Sequence, residues 1–474
     1  MNLASLLVEH PFAHDEPLLC TIAGCVSAGE ARSQAVAAAE RVQAQGLEPG
    51  QAVAVQLPND PGVVVAMFGT WLAGCVFVPL NARQTEAEVE AALDATGPAA
   101  FVDAGGVRAL PGAARTYEPD TAFITWTSGT TGRPKPILQT HSGYFEILDL
   151  VLGSLRPDPA RRPPPNLIPV SLSLNAGIYN VLFGLRAGAA IVIMERFDTR
   201  DFAELVRRFE IRSTVLPPAA MTMLADDDAL VDLSPLRYVR SITAPLSPLA
   251  AHRFHDKFGV TVLNGYGQAE IGEVIGWTAA DARAHPEKLG AVGRPHAGVD
   301  IKIAGGGEGA GAVGELVGEP VGEPVGELVG ELLVRPPRMA AGVEDGRVDD
   351  DGFVHTGDLA RIDEDGFVWI EGRIGDVINR GGNKVFPDHV EEVLRLSPAV
   401  RDVAVVGVPD DRLGEVPVAF VVGDVDEGAL EALCRAHLVP YKVPATFVMV
   451  DALPRSEVGK VLRRELVASY ASRS

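Results

Sequence analysis

The sequence predicts an α/β protein: a large N-terminal domain of two layered α/β subdomains plus a small β-barrel, then a small, mobile α+β C-terminal domain. Three observations predict this. Helix and strand patterns alternate over residues 28–104 and again over 167–263, which implies layered domains with largely parallel sheets. From about Gly290 the pattern changes to short strands and Gly-rich turns, as in a small barrel. Residues 375–474 then carry their own helix and strand set, long enough for an independent small domain. The expected division is 1–374 and 375–474, with the barrel-like part at about 290–374.

A chain of 474 residues is too long for one compact core, which supports the division. A net charge of −22 argues against nucleic acid or an anionic membrane as the main partner, yet leaves room for a nucleotide at a local site. Cys20, Cys25, Cys75 and Cys434 are scattered without a CxxC pair, so neither a disulfide framework nor a zinc site is suggested, and a reducing, cytoplasmic setting fits best. The first ten residues lack the basic region of a signal peptide. Val63 to Leu80 is long and nearly uncharged, but Gly69, Gly74 and Pro79 favour a buried helix feeding a strand over a membrane span.

In order, Ala31 to Gln45 is an Ala-rich helix stopped by Gly46, and Gln51 to Leu57 a strand. Val63 to Leu72 is a helix, Cys75 to Val78 a strand, Thr85 to Ala95 a helix and Ala99 to Val102 a strand. The second layer has strands at Leu167 to Val170, Ala189 to Met194, Ser213 to Leu216 and Tyr238 to Ala244, separated by helices and ending in Thr261-Val262-Leu263. The acidic repeat around Gly314 to Val329, within a loop at 309–330, spaces its glutamates four apart, but its prolines and glycines break a helix, so a mobile surface loop is expected. Gly309 to Gly314 matches GxGxxG, but the following repeat cannot supply the helix that a dinucleotide site requires.

Thr127-Ser128-Gly129-Thr130-Thr131-Gly132-Arg133-Pro134-Lys135 leaves a strand and combines glycines, hydroxyl groups and a lysine, a composition suited to phosphate oxygens. Its spacing is not that of a Walker loop, and a polar surface loop would show the same letters. In Asn264-Gly265-Tyr266-Gly267-Gln268-Ala269-Glu270, glycines admit a flat base, Tyr266 can stack on it and Glu270 could hold Mg²⁺; a turn with an exposed Glu is the plainer reading. Asp358 and Arg373 end two turn–strand units, where a carboxylate accepts from ribose hydroxyls and a guanidinium reaches ribose or phosphate, or a hairpin simply carries surface charge. Lys460, near the C-terminus, is either solvated surface or a mobile cation that bridges a carboxylate and a phosphate.

Thr127 to Pro136 resembles the phosphate-loop signature of the ANL superfamily of acyl-CoA synthetases, peptide-synthetase adenylation domains and luciferases, and four further signatures follow in the family's order. The resemblance implies an acid–CoA ligase using ATP, Mg²⁺ and coenzyme A, with a carrier protein's pantetheine as the alternative thiol and a homodimer as one expected assembly. It implies catalytic roles for Lys460, Thr127 and Glu270, with Glu270 as metal ligand. ATP and AMP are expected on Thr127 to Gly132, Lys135, Thr243, Ala244, Pro245, Asn264 to Gln268, Asp358 and Arg373. Gly375 stands at the hinge position, where the family usually has Asp or Lys. Arg380, Gly381, Gly382 and Lys384 resemble the loop that lines the thiol tunnel, although a Gly-Gly turn before a helix explains the same letters. Leu174, Tyr179, Pro218, Thr243 and Gly267 are the expected acid-pocket walls. With no Asp placed for an α-ammonium group, the expected substrate is an apolar aryl, alicyclic or medium-chain acid. Ala269, where the family usually has Thr or Ser, removes one hydroxyl contact to phosphate, and a non-catalytic homologue is the remaining alternative.

Overall fold

The computed structural model describes residues 2–112, 114–127, 135–155, 162–242, 246–268, 271–304, 329–337, 346–397, 399–455 and 461–472. The first layer is a six-stranded sheet in the order Gly106–Ala109, Ala100–Asp103, Ala52–Gln56, Val76–Leu80, Thr121–Thr127 and Lys135–Thr140, parallel at its centre and antiparallel at both edges. The helix Pro61–Leu72 buries nearly its whole circumference, so the apolar run beginning at Val63 is core. Among the described residues no helix is long and apolar enough to cross a membrane.

A second sheet joins Cys25–Ser27, Pro17–Cys20, Ile191–Ile193 and Asn166–Ile168. Cys20 and Cys25 face each other across its antiparallel edge and form a disulfide, which the sequence reading did not expect. Their spacing carries no motif; the pairing arises because the tight turn at 21–24 sets the two residues opposite each other. A parallel three-stranded sheet follows, Ser213–Leu216, Tyr238–Ser241 and Thr261–Leu263, tied to the second by a hydrogen bond from the Thr214 hydroxyl to the Leu167 carbonyl at 2.8 Å.

Beyond Leu263 every sheet of the described residues up to Arg373 is antiparallel. Gly265–Gln268 is a strand hairpinned onto Gly272–Gly276. Another four-stranded sheet runs Asp300–Ala304, Gly330–Arg335, Val354–Ile362 and Val368–Arg373, and closes over Leu332, Val334, Val354 and Val368. The GxGxxG segment and nearly all of the acidic repeat lie outside the described residues. From Ile378 a further sheet, centred on Gly414–Gly423 and Val400–Asp410, has apolar cores on both faces, with the helices Pro387–Leu394 and Glu427–His437 on one side and Arg463–Ala471 on the other. Strand alternation explains the two cores: residues such as Val403 and Val405 point one way, and Val406 and Val408 the other.

Candidate active site

Antiparallel pairing sets Asp358 directly opposite Arg373, although fifteen residues separate them. Arg373 Nε donates to Asp358 Oδ1 at 2.9 Å. The carboxylate is buried, whereas 56% of the arginine side chain is exposed. Tyr266 and Gln268, alternate residues of the strand Gly265–Gln268, share the face that meets this carboxylate. The Tyr266 hydroxyl donates to Asp358 Oδ2 at 2.6 Å and Gln268 Nε2 to the same oxygen at 3.0 Å. Gln268 Nε2 also reaches the Thr356 carbonyl at 2.9 Å, and its Oε1 accepts from Arg347 Nη2 at 2.9 Å. Burial, reinforced by the Asp358 charge, pushes the Tyr266 phenol far above its usual range, so it stays a neutral donor. With two acceptor sites per carboxylate oxygen, Oδ2 is filled by these two donors while Oδ1 keeps capacity for a ligand hydroxyl.

This network forms one wall of a cleft of about 3670 Å³, to which Leu174, Tyr179, Pro218, Gly267 and Gly375 also contribute. The volume exceeds the roughly 300–1,000 Å³ of a pocket for one small ligand. Gly267 is required sterically: a Cβ there would stand 2.1 Å from the Gly272 carbonyl oxygen across the hairpin.

Elsewhere on the cleft, Tyr179 stacks on Phe183 at 6.0 Å between ring centroids. Burial and the negative charge of Glu273 raise the Tyr179 phenol. Glu273, on the strand Gly272–Gly276 and register partner of Gly267, pairs with Arg240 and accepts from His296 Nε2 at 3.2 Å. Burial pushes the Glu273 carboxyl up, but the His296 hydrogen bond and the Arg240 charge prevail and hold it below the usual range. Sequence reasoning missed these three residues. One signal was available: Arg240 interrupts a buried parallel strand, Tyr238–Ser241, where a charge demands a partner.

Several expected residues are not brought to this cleft. Arg380 pairs with Asn383 at the base of the tight turn through Gly381 and Gly382, and Arg380 Nη1 donates to the Tyr441 and Val443 carbonyls at 2.8 and 3.0 Å. Neither these residues nor Lys384 line the cleft. The same C-terminal body instead presents Arg455, Val461 and Arg463 to it; Arg455 and Val461 pair with each other, and the segment between them carries Lys460. Lys460 itself, Ser128, Gly129, Thr130, Thr131, Gly132, Thr243, Ala244, Pro245 and Glu270 lie outside the described residues. Thr127 and Lys135 are register partners, so their strands hold the two ends of the phosphate-loop candidate together. Asn264 is buried, its side chain accepting from the Gly265 amide at 3.0 Å. Among the described residues no group of three or more His, Cys, Asp or Glu is placed to hold a metal. A magnesium ion bound through nucleotide phosphates needs only one or two carboxylates, and Glu270, the carboxylate expected for it, is among the residues not described.

The parallel sheets, the antiparallel segment with its buried carboxylate, and the cleft facing a C-terminal body define an adenylate-forming enzyme. The family described as AMP-binding enzyme matches residues 15–117 and 105–343, and its C-terminal domain matches 389–460. A 2-succinylbenzoate–CoA ligase of Bacillus pumilus is 30% identical over 454 residues, covering 90% of this chain and 89% of that protein. A 4-coumarate–CoA ligase of Oryza sativa is 29% identical, covering 89% and 85%. The structure of ATP-bound MatB from Rhodopseudomonas palustris is 26% identical and superposes with a TM-score of 0.81 over 99% of both chains. The chain belongs to the AMP-binding enzyme family, the ANL adenylate-forming enzymes, and is an enzyme of the acid–CoA ligase kind.

Proposed function

We propose that this chain joins a carboxylic acid to coenzyme A at the expense of ATP, in two steps. The acid's carboxylate oxygen attacks the α-phosphorus of ATP, the bond to the bridging oxygen breaks, and pyrophosphate leaves. The thiol sulfur then attacks the acyl carbon of the acyl-AMP, and AMP leaves as the thioester forms. The observation that carries this reading is the buried Asp358 carboxylate, held by Tyr266 and Arg373 on a cleft that the two residues flanking the Lys460 segment also line. Asp358 takes a ribose hydroxyl, Tyr266 and Gly267 border the base, and Arg373, exposed enough to swing, follows the ribose. The Ser128 to Lys135 loop and Lys460 balance phosphate charge as it develops. Mg²⁺, held by Glu270, would supply further charge neutralisation.

The second step calls for a different face of the C-terminal body. Here the hairpin bearing Gly381 and Gly382 is away from the cleft, so a turn about Gly375, at the boundary between 1–374 and 375–474, brings it in after pyrophosphate departs. Coenzyme A is the proposed thiol and a carrier-protein pantetheine the alternative. The acid is an apolar aryl, alicyclic or medium-chain carboxylic acid.

The test is pyrophosphate release from Mg·ATP across a panel of such acids, with coenzyme A present and absent, and thioester detection by mass spectrometry. Release with thioester on free coenzyme A is the expected result. No acyl adenylate with any acid would sink the proposal, and turnover only with a carrier protein would replace the thiol.

A further inference from the structure

The helix Pro387–Leu394 faces two ways. Val390 and Leu394 enter a core of the C-terminal body, and Glu391 ties the helix to that body by accepting from Arg463 Nη1 at 2.7 Å, Arg395 Nη2 at 3.0 Å and the Val405 amide at 2.9 Å. His389 and Glu392, three residues apart and so on one face, reach instead to residues before Gly375. His389 Nε2 lies 2.8 Å from Glu371 Oε2, on the strand Val368–Arg373. Glu371 is buried, and Arg361 Nε, from the paired strand, donates to its other oxygen at 2.9 Å. Burial pushes the Glu371 carboxyl up, but His389 and Arg361 prevail and hold it below the usual range, so it is a charged acceptor. Glu392 Oε1 accepts from the Leu249 amide at 3.3 Å. That amide is in the first turn of the helix Pro248–Phe258, where N–H groups lack intrahelical partners and the helix dipole favours negative charge.

We propose that His389 and Glu392 are positioning residues for acyl-AMP formation: with Glu371 and the Leu249 amide they clasp the C-terminal body in the orientation that keeps Arg455 and Val461, which flank Lys460, on the cleft, and the clasp opens before thioester formation. This role presupposes the two-step ligase reading and the turn about Gly375, and adds to them the contacts that the turn must break. Glu371 and Leu249 belong to segments before Gly375, whereas the helix moves with the body to which Glu391 anchors it. A rotation large enough to present a different face of that body therefore separates both pairs. Opening is reversible because Glu371 keeps Arg361 when His389 departs, so no buried carboxylate is left uncompensated. His389 and Glu392 are themselves half-buried and regain water readily. Each hydrogen bond to a charged group shifts the balance between the two orientations by roughly tenfold or more.

Single-turnover measurements with cinnamate, cyclohexanecarboxylate and octanoate separate the steps: pyrophosphate release from Mg·ATP without coenzyme A, and thioester formation from preformed acyl-AMP. His389→Ala should slow pyrophosphate release by roughly tenfold, and His389→Ala/Glu392→Ala should slow it further, while thioester formation holds or speeds up. His389→Gln, whose amide nitrogen can stand near the place of Nε2, should restore most of the lost rate. Joining the thiols of Glu371→Cys/His389→Cys with a short bis-maleimide should spare pyrophosphate release and slow thioester formation by roughly tenfold or more. Unchanged rates or equal slowing of both steps in the alanine variants, or thioester formation at the unlinked rate in the linked protein, would overturn the clasp while leaving the ligase reading intact. Absence of pyrophosphate release by the wild type with every acid would instead remove that reading, and the clasp with it.

Discussion

On one stretch of the cleft wall, both oxygens of the Asp358 carboxylate are engaged by Tyr266, Gln268 and Arg373, and Gln268 is itself tied to Thr356 and Arg347; on another, Glu273 and Arg240 remain partly open and Glu273 is bordered by glycines. The first wall is a network assembled before any ligand arrives, suited to a partner of fixed form. Its donors need no reorganisation when a ribose takes the remaining acceptor site, which is how preorganised polar groups give the most to binding and catalysis. The second wall holds a charge pair with fewer fixed partners. Under the proposed function, a nucleotide that is the same in every turnover suits the first, and an acid that must be chosen suits a less committed surface.

The most forceful way to break this comparison is to leave both walls alone and remove the charge proposed to act between them. Lys460→Ala should lower the rate of pyrophosphate release by about 10²–10³-fold, the scale set by deleting one transition-state donor, with KM for ATP and acid within a few-fold of wild type. Thioester formation from preformed acyl-AMP should persist. Equal loss in both half-reactions would show that Lys460 acts on the fold, and that the walls cannot be judged through it.

Asp358→Asn sharpens the contrast directly. The amide keeps the shape but turns one acceptor into a donor facing groups that already donate, Tyr266, Gln268 or Arg373. Leaving such buried groups unmatched costs about 1–3 kcal/mol, so kcat/KM for ATP should fall by roughly 10–100-fold. KM for the acid should hold steady. If it rose instead while ATP kinetics stayed normal, the two walls would have been assigned the wrong way round.

How much of this was legible in the sequence divides along the same line. Periodicity placed most elements within a few residues, because helix and strand impose distinct spacings: Ser213–Leu216 and Thr261–Leu263 fall where the pattern puts them. Asp358 and Arg373 were readable because each ends a turn–strand unit, and the antiparallel register then makes them partners. Glu273 was not, since its two partners come from a strand 33 residues earlier and a loop 23 residues later. No local spacing encodes a contact that three separate segments create. The Cys20–Cys25 pairing was invisible for a related reason: only the antiparallel turn makes five residues of separation a short distance in space. Reading Gly265 to Gln268 as a turn also fails, because Gly265–Gln268 pairs with Gly272–Gly276, and that hairpin makes Gly267 and Glu273 register partners.

Motion between the walls and the C-terminal body gives a smaller effect. A Cβ on Gly375 meets nothing within 4 Å, so Gly375→Ala should leave both half-reactions close to wild type. Gly375→Pro fixes φ and restricts Ile374 as well, and should slow thioester formation several-fold more than adenylation in single-turnover measurements. Equal slowing of the two steps would move the hinge elsewhere.

The mildest perturbation is pH, and it acts on the N-terminal scaffold rather than on either wall. His10 Nδ1 lies 3.4 Å from the Phe12 amide and His141 Nδ1 lies 3.2 Å from the Leu3 amide; a backbone N–H only donates, so both ring nitrogens accept and both imidazoles are neutral. Burial holds each pKa down to about 4, with the Arg32 charge adding to the effect at His10. In the unfolded chain histidine titrates near 6.5, so between pH 6.5 and 4 the unfolded state binds protons that the folded state does not. Stability is therefore complete above about pH 7 and declines as pH falls through this window, by about 1.4 kcal/mol per histidine at pH 5.5. Hydrogen-exchange protection of residues 2–12, anchored by both histidines, should drop by roughly tenfold or more between pH 7.5 and 5.5. A protection profile flat across that interval would mean that neither imidazole is kept neutral by burial.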